Sequence, residues 1–292
     1  HRDRLPRLGP LELVMAIYLG YNVLSSVLPH EYGAGAYIPT AEPINITRMI
    51  LSSVVMPFAL YLVGRTIGDD DRRARVVLWM MVGLGGYSTL VSIGQFHAPG
   101  WVWPRYIVED PNWVGRANGV PNQPVVNGII ILIGFACAMF LATRVDTHRA
   151  ARLTAGLVAA GSAYAVFLTH TRIIYLAFAV ILFVGAVIAR GYRTGFVVVA
   201  TLGVAAVLAN WSTFTSSDRD AGGVGSTSEV LDRLNTAATS FWAFDQKPLF
   251  GFGLGRFISV NTLHHQQWSS STPFDRGLGI APHFNELGKI GR

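Results

Sequence analysis

Two arginines in this chain stand where binding of an anion would need them. Arg116 precedes an Asn/Gly/Pro turn that leads into an apolar stretch, and Arg172 ends the polar turn Thr169–Arg172 before another. If each apolar stretch is a helix, both arginines lie beside a helix N-terminus, whose free N–H groups favour anions. Arginine is unfavourable there for the helix dipole, but its guanidinium makes bidentate contacts with phosphate oxygens. The pattern therefore predicts a diphosphate-binding site.

Three histidines in the polar C-terminal part of the chain are candidates for a general base. His264 and His265 are adjacent, and His283 follows an Ala-Pro pair near the last residues. An imidazole with a pKa near ~6.5 can take a proton from an attacking hydroxyl group at neutral pH. The residue types thus predict an anion site together with a base.

Seven apolar stretches must position these side chains. Each approaches the ~20 residues that cross a hydrocarbon core of ~30 Å. They are Leu11–Leu28, Ile46–Gly64, Val76–Gly94, Val125–Ala142, Leu153–Leu168, Ile173–Ala189 and Gly195–Ala209. The sequence therefore predicts an all-α polytopic integral membrane protein. We expect residues 1–210 to form a transmembrane bundle with further helices before and after it. We expect residues 211–292 to form a large, partly helical extracytoplasmic loop.

The composition agrees with a membrane protein, since 51% of residues are hydrophobic and only 14% are charged. Soluble domains average about 25% charged residues. The single cysteine, Cys137, lies in the middle of an apolar stretch, which excludes an intrachain disulfide.

The distribution of arginine predicts the orientation. The N-terminal leader and the loops on its side of the membrane carry twelve arginines, whereas the opposite short loops carry four. Cytoplasmic loops hold the excess of positive charge, so the leader is predicted to be cytoplasmic. The loops with Arg116 and Arg172, and the tail with the histidines, then lie outside. The net charge of +6 follows mostly from this bias and predicts no nucleic-acid partner.

Four motifs occur in this outer part of the sequence, over about residues 110–290. They are Gly115-Arg116-x-x-Gly119-x-Pro121-Asn122, then Thr169-x-Thr171-Arg172, then Arg233 with Trp242, Pro248, Gly251, Gly253 and Phe257, and finally His283 with Asn285. In order, spacing and side of the membrane, they resemble the O-antigen ligase and O-antigen polymerase family of bacterial envelope glycan enzymes.

The resemblance implies a glycosyltransferase of the bacterial inner membrane that acts on the periplasmic face. Its donor would be a glycan linked to undecaprenyl diphosphate. The arginines matching Arg116, Arg172 and Arg233 would hold the diphosphate, with Asn122 as a further substrate-binding residue. The histidine matching His283 would deprotonate the acceptor hydroxyl, and transfer would invert the anomeric carbon without a metal or cofactor. The acceptor stays open: lipid A core, a polysaccharide, a protein or another lipid.

One departure from the family pattern affects the histidine. Family members usually have Asn directly after the His, whereas Phe284 separates His283 from Asn285 here. His264 and His265 are therefore alternative bases, and Asn285 is a secondary candidate.

Two other functions compete with this one. A metal-dependent polyprenyl-phosphate glycosyltransferase would use an acidic pair in an outer loop, and Glu109-Asp110 is such a pair. A transporter or flippase of lipid-linked glycans would favour ionisable residues in mid-span, which the apolar stretches almost entirely lack.

Overall fold

The computed structural model describes residues 9–35, 44–67, 70–144, 148–189, 193–216 and 227–269. Every regular element within these ranges is helical, which confirms the all-α fold class. The chain divides into two compact units: residues 1–69 with 227–292, and residues 70–226. The boundary predicted at residue 210 is a different one, because it separates a membrane-embedded part from an extracytoplasmic part. That boundary stays a prediction.

The described residues of the unit 70–226 form five long helices and two short ones. They are α3 (Asp71–His97), α4 (Tyr106–Glu109), α5 (Pro124–Thr143), α6 (Arg149–Leu168), α7 (Arg172–Ile188), α8 (Arg193–Ala209) and α9 (Trp211–Phe214). Single 3₁₀ turns at Pro99–Trp101 and Pro111–Trp113 flank α4 in the loop between α3 and α5.

The other unit holds the remaining helices. They are α1 (Pro10–Val27), then α2, which runs through Ile46–Ile50, a π-helical turn at Leu51–Val55 and Met56–Ile67, then α10 (Thr227–Gln246) and α11 (Phe257–Leu263). The tail is thus partly helical within its described residues.

Each of the seven predicted spans coincides with a helix, but their lengths differ. Five helices are long and apolar enough to cross a membrane: α1, α2, α3, α5 and α6. The apolar helices α7 and α8 have 17 residues each, or about 25 Å at ~1.5 Å per residue. The chain is thus consistent with a multi-pass membrane protein, and the count of seven spans stays a prediction.

Helix α5 is central to its unit, because it packs against α3, α6, α7 and α8. Its buried Phe135 lies edge-on to Phe178 of α7 and Phe196 of α8. The contact with α3 is closest at two glycines, since a Cβ added to Gly85 would lie 2.5 Å from the Cα of Gly134. Small residues let helix backbones approach in this way where no side chain could fit.

Polar side chains line the helix contacts near the end of α3 that leads into the 98–123 loop. The hydroxyl groups of Thr89 on α3 and Ser162 on α6 are hydrogen bonded at 2.9 Å. Ser92 of α3 accepts a hydrogen bond of 2.9 Å from the buried amide of Asn127 on α5. A polar group buried among apolar helices is costly unless it has such a partner. These bonds therefore fix the register of α3, α5 and α6.

An ion pair joins the first two helices. The buried carboxylate of Glu12 on α1 contacts the guanidinium of Arg65 on α2, and it also accepts a hydrogen bond of 3.2 Å from the hydroxyl of Tyr61. Because Glu12 begins its helix and Arg65 ends the other, the pair is the contact expected of two antiparallel helices.

We predict that Gly85→Ala and Gly134→Ala each destabilise the protein by about 1–3 kcal/mol, because the new methyl group overlaps the facing backbone. Thermal unfolding of the purified protein in detergent would measure the loss. Gly83→Ala is the matched control, since a Cβ at Gly83 meets nothing within 4 Å. Equal unfolding temperatures for Gly85→Ala and Gly83→Ala would contradict the packing described.

Candidate functional site

The structure brings together the two arginine motifs of the 70–226 unit. The guanidinium of Arg116 donates a hydrogen bond of 2.8 Å from Nη2 to Oγ1 of Thr171 and one of 3.5 Å from Nε to the carbonyl of Thr169. Thr171 occupies the N-cap position of α7, and Arg172 is the first residue of that helix. The guanidinium of Arg116 therefore lies at the turn before the helix that Arg172 begins, although more than fifty residues separate the two arginines in sequence.

The hydroxyl groups of Thr169 and Thr171 are engaged in hydrogen bonds within the turn. Neither hydroxyl caps α7, because Thr171 donates to the carbonyl of Thr169 and Thr169 donates to that of Val166, each at 2.8 Å. Both side chains are buried. Thr171 is instead a hydrogen-bond acceptor for Arg116, so the arginine and the turn position one another.

Backbone conformation and aromatic rings shape the same turn. His170 has a φ of 42°, a region that non-glycine residues seldom adopt, and its side chain is buried. Its ring lies edge-on to Phe96 and to Phe167, with centroids 5.6 and 5.5 Å away. A backbone bond of 2.8 Å from Ala117 N to Leu168 O joins the Arg116 segment to the end of α6.

A network of amide side chains holds the loop that carries Arg116. Gln95 of α3 donates to Asn118 and accepts a bond of 3.0 Å from the backbone N–H of Gly119. Asn118 donates to Asn122, and Asn122 donates to the carboxylate of Asp110, each at 2.5 Å. Both ends of the Asn122 amide are thus bonded within the protein. Its observed role is to link parts of the loop, and its predicted contact with substrate remains untested.

Glu109 and Asp110, the acidic pair of the metal-dependent alternative, have separate partners. Glu109 forms an ion pair of 3.1 Å with Arg105, one helical turn earlier. Asp110 accepts a hydrogen bond from Asn122, as described above.

Trp101 and Trp103 of the same loop are largely exposed. Their exposure suits a position at the lipid headgroups, which tryptophan favours in membrane proteins.

The remaining candidates belong to the other unit. Arg233 is exposed on α10. His264 directly follows α11, and His265 is buried, with Nδ1 3.3 Å from Oδ1 of Asn261. His283 and Asn285 lie outside the described residues.

Sequence reasoning missed a cluster around His264. Its Nε2 lies 2.7 Å from the hydroxyl of Tyr32, and that hydroxyl donates to the carboxylate of Glu31 at 2.8 Å. Lys247 completes the cluster with an ion pair of 3.0 Å to Glu31. The 29–35 loop had no motif of its own, and more than two hundred residues separate it from His264. The nearest available signal was the ionisable pair Glu31-Tyr32 in the loop between the first two predicted spans.

Comparisons of the chain with protein-family models, curated proteins and solved structures find no match. The interpretation of function therefore rests on the residues and their geometry.

We predict that Thr171→Val destabilises the protein by about 1–3 kcal/mol, because Arg116 and the turn lose a buried hydrogen-bond partner. Thr171→Ser, which keeps the hydroxyl, should lose less than half as much. Thermal unfolding of both variants measures the difference. A valine variant as stable as the serine variant would show that the hydroxyl is unimportant there.

We predict a pH dependence of stability from His265. Burial lowers the pKa of this imidazole from its ordinary value of 6.5, so the folded protein favours the neutral ring. Its contribution to stability is therefore complete above pH 6.5 and is lost as the pH falls through the lower, folded pKa. Unfolding temperatures measured from pH 8 to pH 5 should fall less steeply in His265→Gln than in wild type. Parallel curves would contradict this assignment.

Proposed function

We propose that this chain is a membrane glycosyltransferase of the O-antigen ligase or polymerase type. It would transfer a glycan from an undecaprenyl-diphosphate-linked donor to an acceptor hydroxyl at the periplasmic face of the bacterial inner membrane. The proposal includes seven membrane spans, with the 98–123 loop and the tail outside. The observation that supports it best is the meeting of Arg116 with the turn that begins α7 at Arg172.

The charge of this site suits a diphosphate leaving group. As the glycosidic bond breaks, negative charge grows on the diphosphate oxygen that leaves the anomeric carbon. Two guanidinium groups and the N-terminus of a 17-residue helix would stabilise that charge. The Arg116 group is already oriented by Thr171 and by the Trp113 ring, which lies 5.3 Å from it. A positioned charge needs little reorganisation during the reaction, so it favours the transition state.

The acceptor needs a base as well. The resemblance assigns that role to His283, with His264 and His265 as alternatives. Burial of His265 and its lowered pKa favour a structural role for that residue. The proposal expects the reaction to be independent of divalent metal, in contrast to the Glu109-Asp110 alternative.

We predict that Arg116→Ala and Arg172→Ala each lower the turnover number for glycan transfer by about 100-fold, because stabilisation of the leaving group is lost. The assay uses full-length protein, a purified undecaprenyl-diphosphate-linked glycan and EDTA. Arg116→Lys should recover only part of the activity, since lysine keeps the charge but lacks the planar pair of donors.

The matched control is Arg105→Ala, which removes an arginine from the same loop. Among the described residues, Arg105 bonds to groups near it in sequence, Glu109 and the carbonyls of Pro99 and Val102, so activity should stay near wild type. Full activity in both alanine variants at the proposed site would exclude it. Loss of wild-type transfer in EDTA would favour the metal-dependent enzyme instead.

A further inference from the structure

The 29–35 loop and the 247–264 segment form one hydrogen-bonded assembly. Backbone Gly35 N donates to the carbonyl of Gly255 at 3.0 Å, and Arg256 Nε donates to the carbonyl of Tyr32 at 2.8 Å. Ser259, on α11, donates from Oγ to the carbonyl of Gly35 at 2.9 Å. Tyr32 is thus held on its backbone independently of what its hydroxyl group does.

Helix α10 fixes the other side of the assembly. The side-chain oxygens of its buried residues Asn235 and Thr239 accept hydrogen bonds of 2.9 Å from the backbone N–H groups of Trp268 and Gln266. One turn further along, the Trp242 ring stacks on the ring of His264, with centroids 4.9 Å apart and an interplanar angle of 21°. The imidazole is therefore fixed in plane and in position.

The hydrogen bonds at Glu31 and Tyr32 determine where the histidine carries its proton. The ammonium of Lys247 and the hydroxyl of Tyr32 hold the pKa of Glu31 below its ordinary value, so its carboxylate is ionised and can only accept. Burial and the Glu31 carboxylate raise the pKa of Tyr32 to about 12, so the phenol keeps its single proton and donates it to Glu31.

The Tyr32 oxygen must then accept from His264. Nε2 of His264 therefore carries the ring N–H, and in the neutral imidazole Nδ1 carries the lone pair. Within the part of the chain that the structure describes, this Nδ1 has no hydrogen-bond partner. A histidine whose N–H is bonded to a tyrosine and, through it, to a carboxylate has the arrangement of a general base.

We infer that His264 is the proton acceptor for the attacking hydroxyl group, with Tyr32 and Glu31 as the residues that position it. This inference rests on the proposed function and identifies a catalytic residue and two positioning residues for it. The Trp242 ring, stacked on the imidazole, shields one of its faces and leaves proton transfer to the edge with Nδ1.

The step balances as a single displacement. The acceptor oxygen forms a bond to the anomeric carbon while the bond from that carbon to the diphosphate oxygen breaks. The electron pair of the broken bond leaves with undecaprenyl diphosphate. The hydroxyl proton passes to Nδ1 of His264, and the resulting imidazolium donates from Nε2 to Tyr32 until solvent removes the proton. No oxidant, reductant or metal takes part.

The test compares kcat and KM for the donor across variants of the full-length protein in the transfer assay. His264→Gln should lower kcat about 100-fold or more and leave KM nearly unchanged, because the residue acts on the acceptor's proton. Tyr32→Phe and Glu31→Gln should each lower kcat about tenfold. The double variant Tyr32→Phe/His264→Gln should be no slower than His264→Gln, because Tyr32 acts through the histidine.

Tyr21→Phe is the matched control. It removes another tyrosine hydroxyl of the same unit that bonds to the tail, to the carbonyl of Leu249 at 2.8 Å, and it should leave kcat unchanged. If Tyr32 served only to hold the 29–35 loop, the decrease in kcat caused by Tyr32→Phe would add to the decrease caused by His264→Gln. Tyr32→Phe would then also lower the unfolding temperature, as we expect of Tyr21→Phe.

Failure of the inference and failure of the proposed function give different results. Wild-type protein that transfers no glycan from the diphosphate-linked donor would overturn both. Wild-type transfer with His264→Gln within twofold of it would overturn the inference alone. The inference alone would also be overturned if His283→Gln abolished transfer while His264→Gln retained it.

Discussion

Polar atoms buried among apolar helices must find their partners inside the protein, and the unit of residues 70–226 is organised by that constraint. Water cannot satisfy such groups in a hydrocarbon environment. Thr89 and Ser162, and Ser92 with Asn127, therefore bond to each other across helix contacts. The glycine contact between α3 and α5 brings these two helices close together, and Ser92 and Asn127 bond across the same helix pair.

The same hydrogen bonds extend from the helices into the loop that carries Arg116. Asn127 of α5 donates to the carbonyl of Ala117 at 3.1 Å as well as to Ser92. Gln95 of α3 joins the backbone of Gly119 and the amide of Asn118. Helix packing thereby sets the position of the loop that carries Arg116. The function that we propose uses such a positioned cation to stabilise a leaving diphosphate.

In the unit of residues 1–69 and 227–292, hydrogen bonds and a stacked aromatic ring position the imidazole of His264. A backbone bond from Gly35 and side-chain bonds from Arg256 and Ser259 join the 29–35 loop to the 247–259 segment. Buried polar residues of α10 hold the segment after His264. The imidazole then lies between a tyrosine hydroxyl and a tryptophan face. These two contacts hold the imidazole in the position that we propose for proton transfer.

The sequence by itself determined where the apolar helices lie and which side chains could bind an anion or accept a proton. Length and apolar character predicted each of the seven apolar helices, because a membrane core sets the number of residues that a spanning helix needs. The distribution of arginine predicted which loops share a side, and Arg116 and Arg172 were recognised from their place before apolar stretches. These are local properties, and local patterns were sufficient to find them.

Only the tertiary structure decided which of those residues meet. It brought Arg116 to Thr171, made Asn122 a link to Asp110, and joined Glu31 and Tyr32 to His264. No local pattern encodes these pairs, because their members are separated by other helices or by long loops. Their contacts depend on helix register, set by glycine contacts and buried hydrogen bonds, which a sequence without homologues does not reveal.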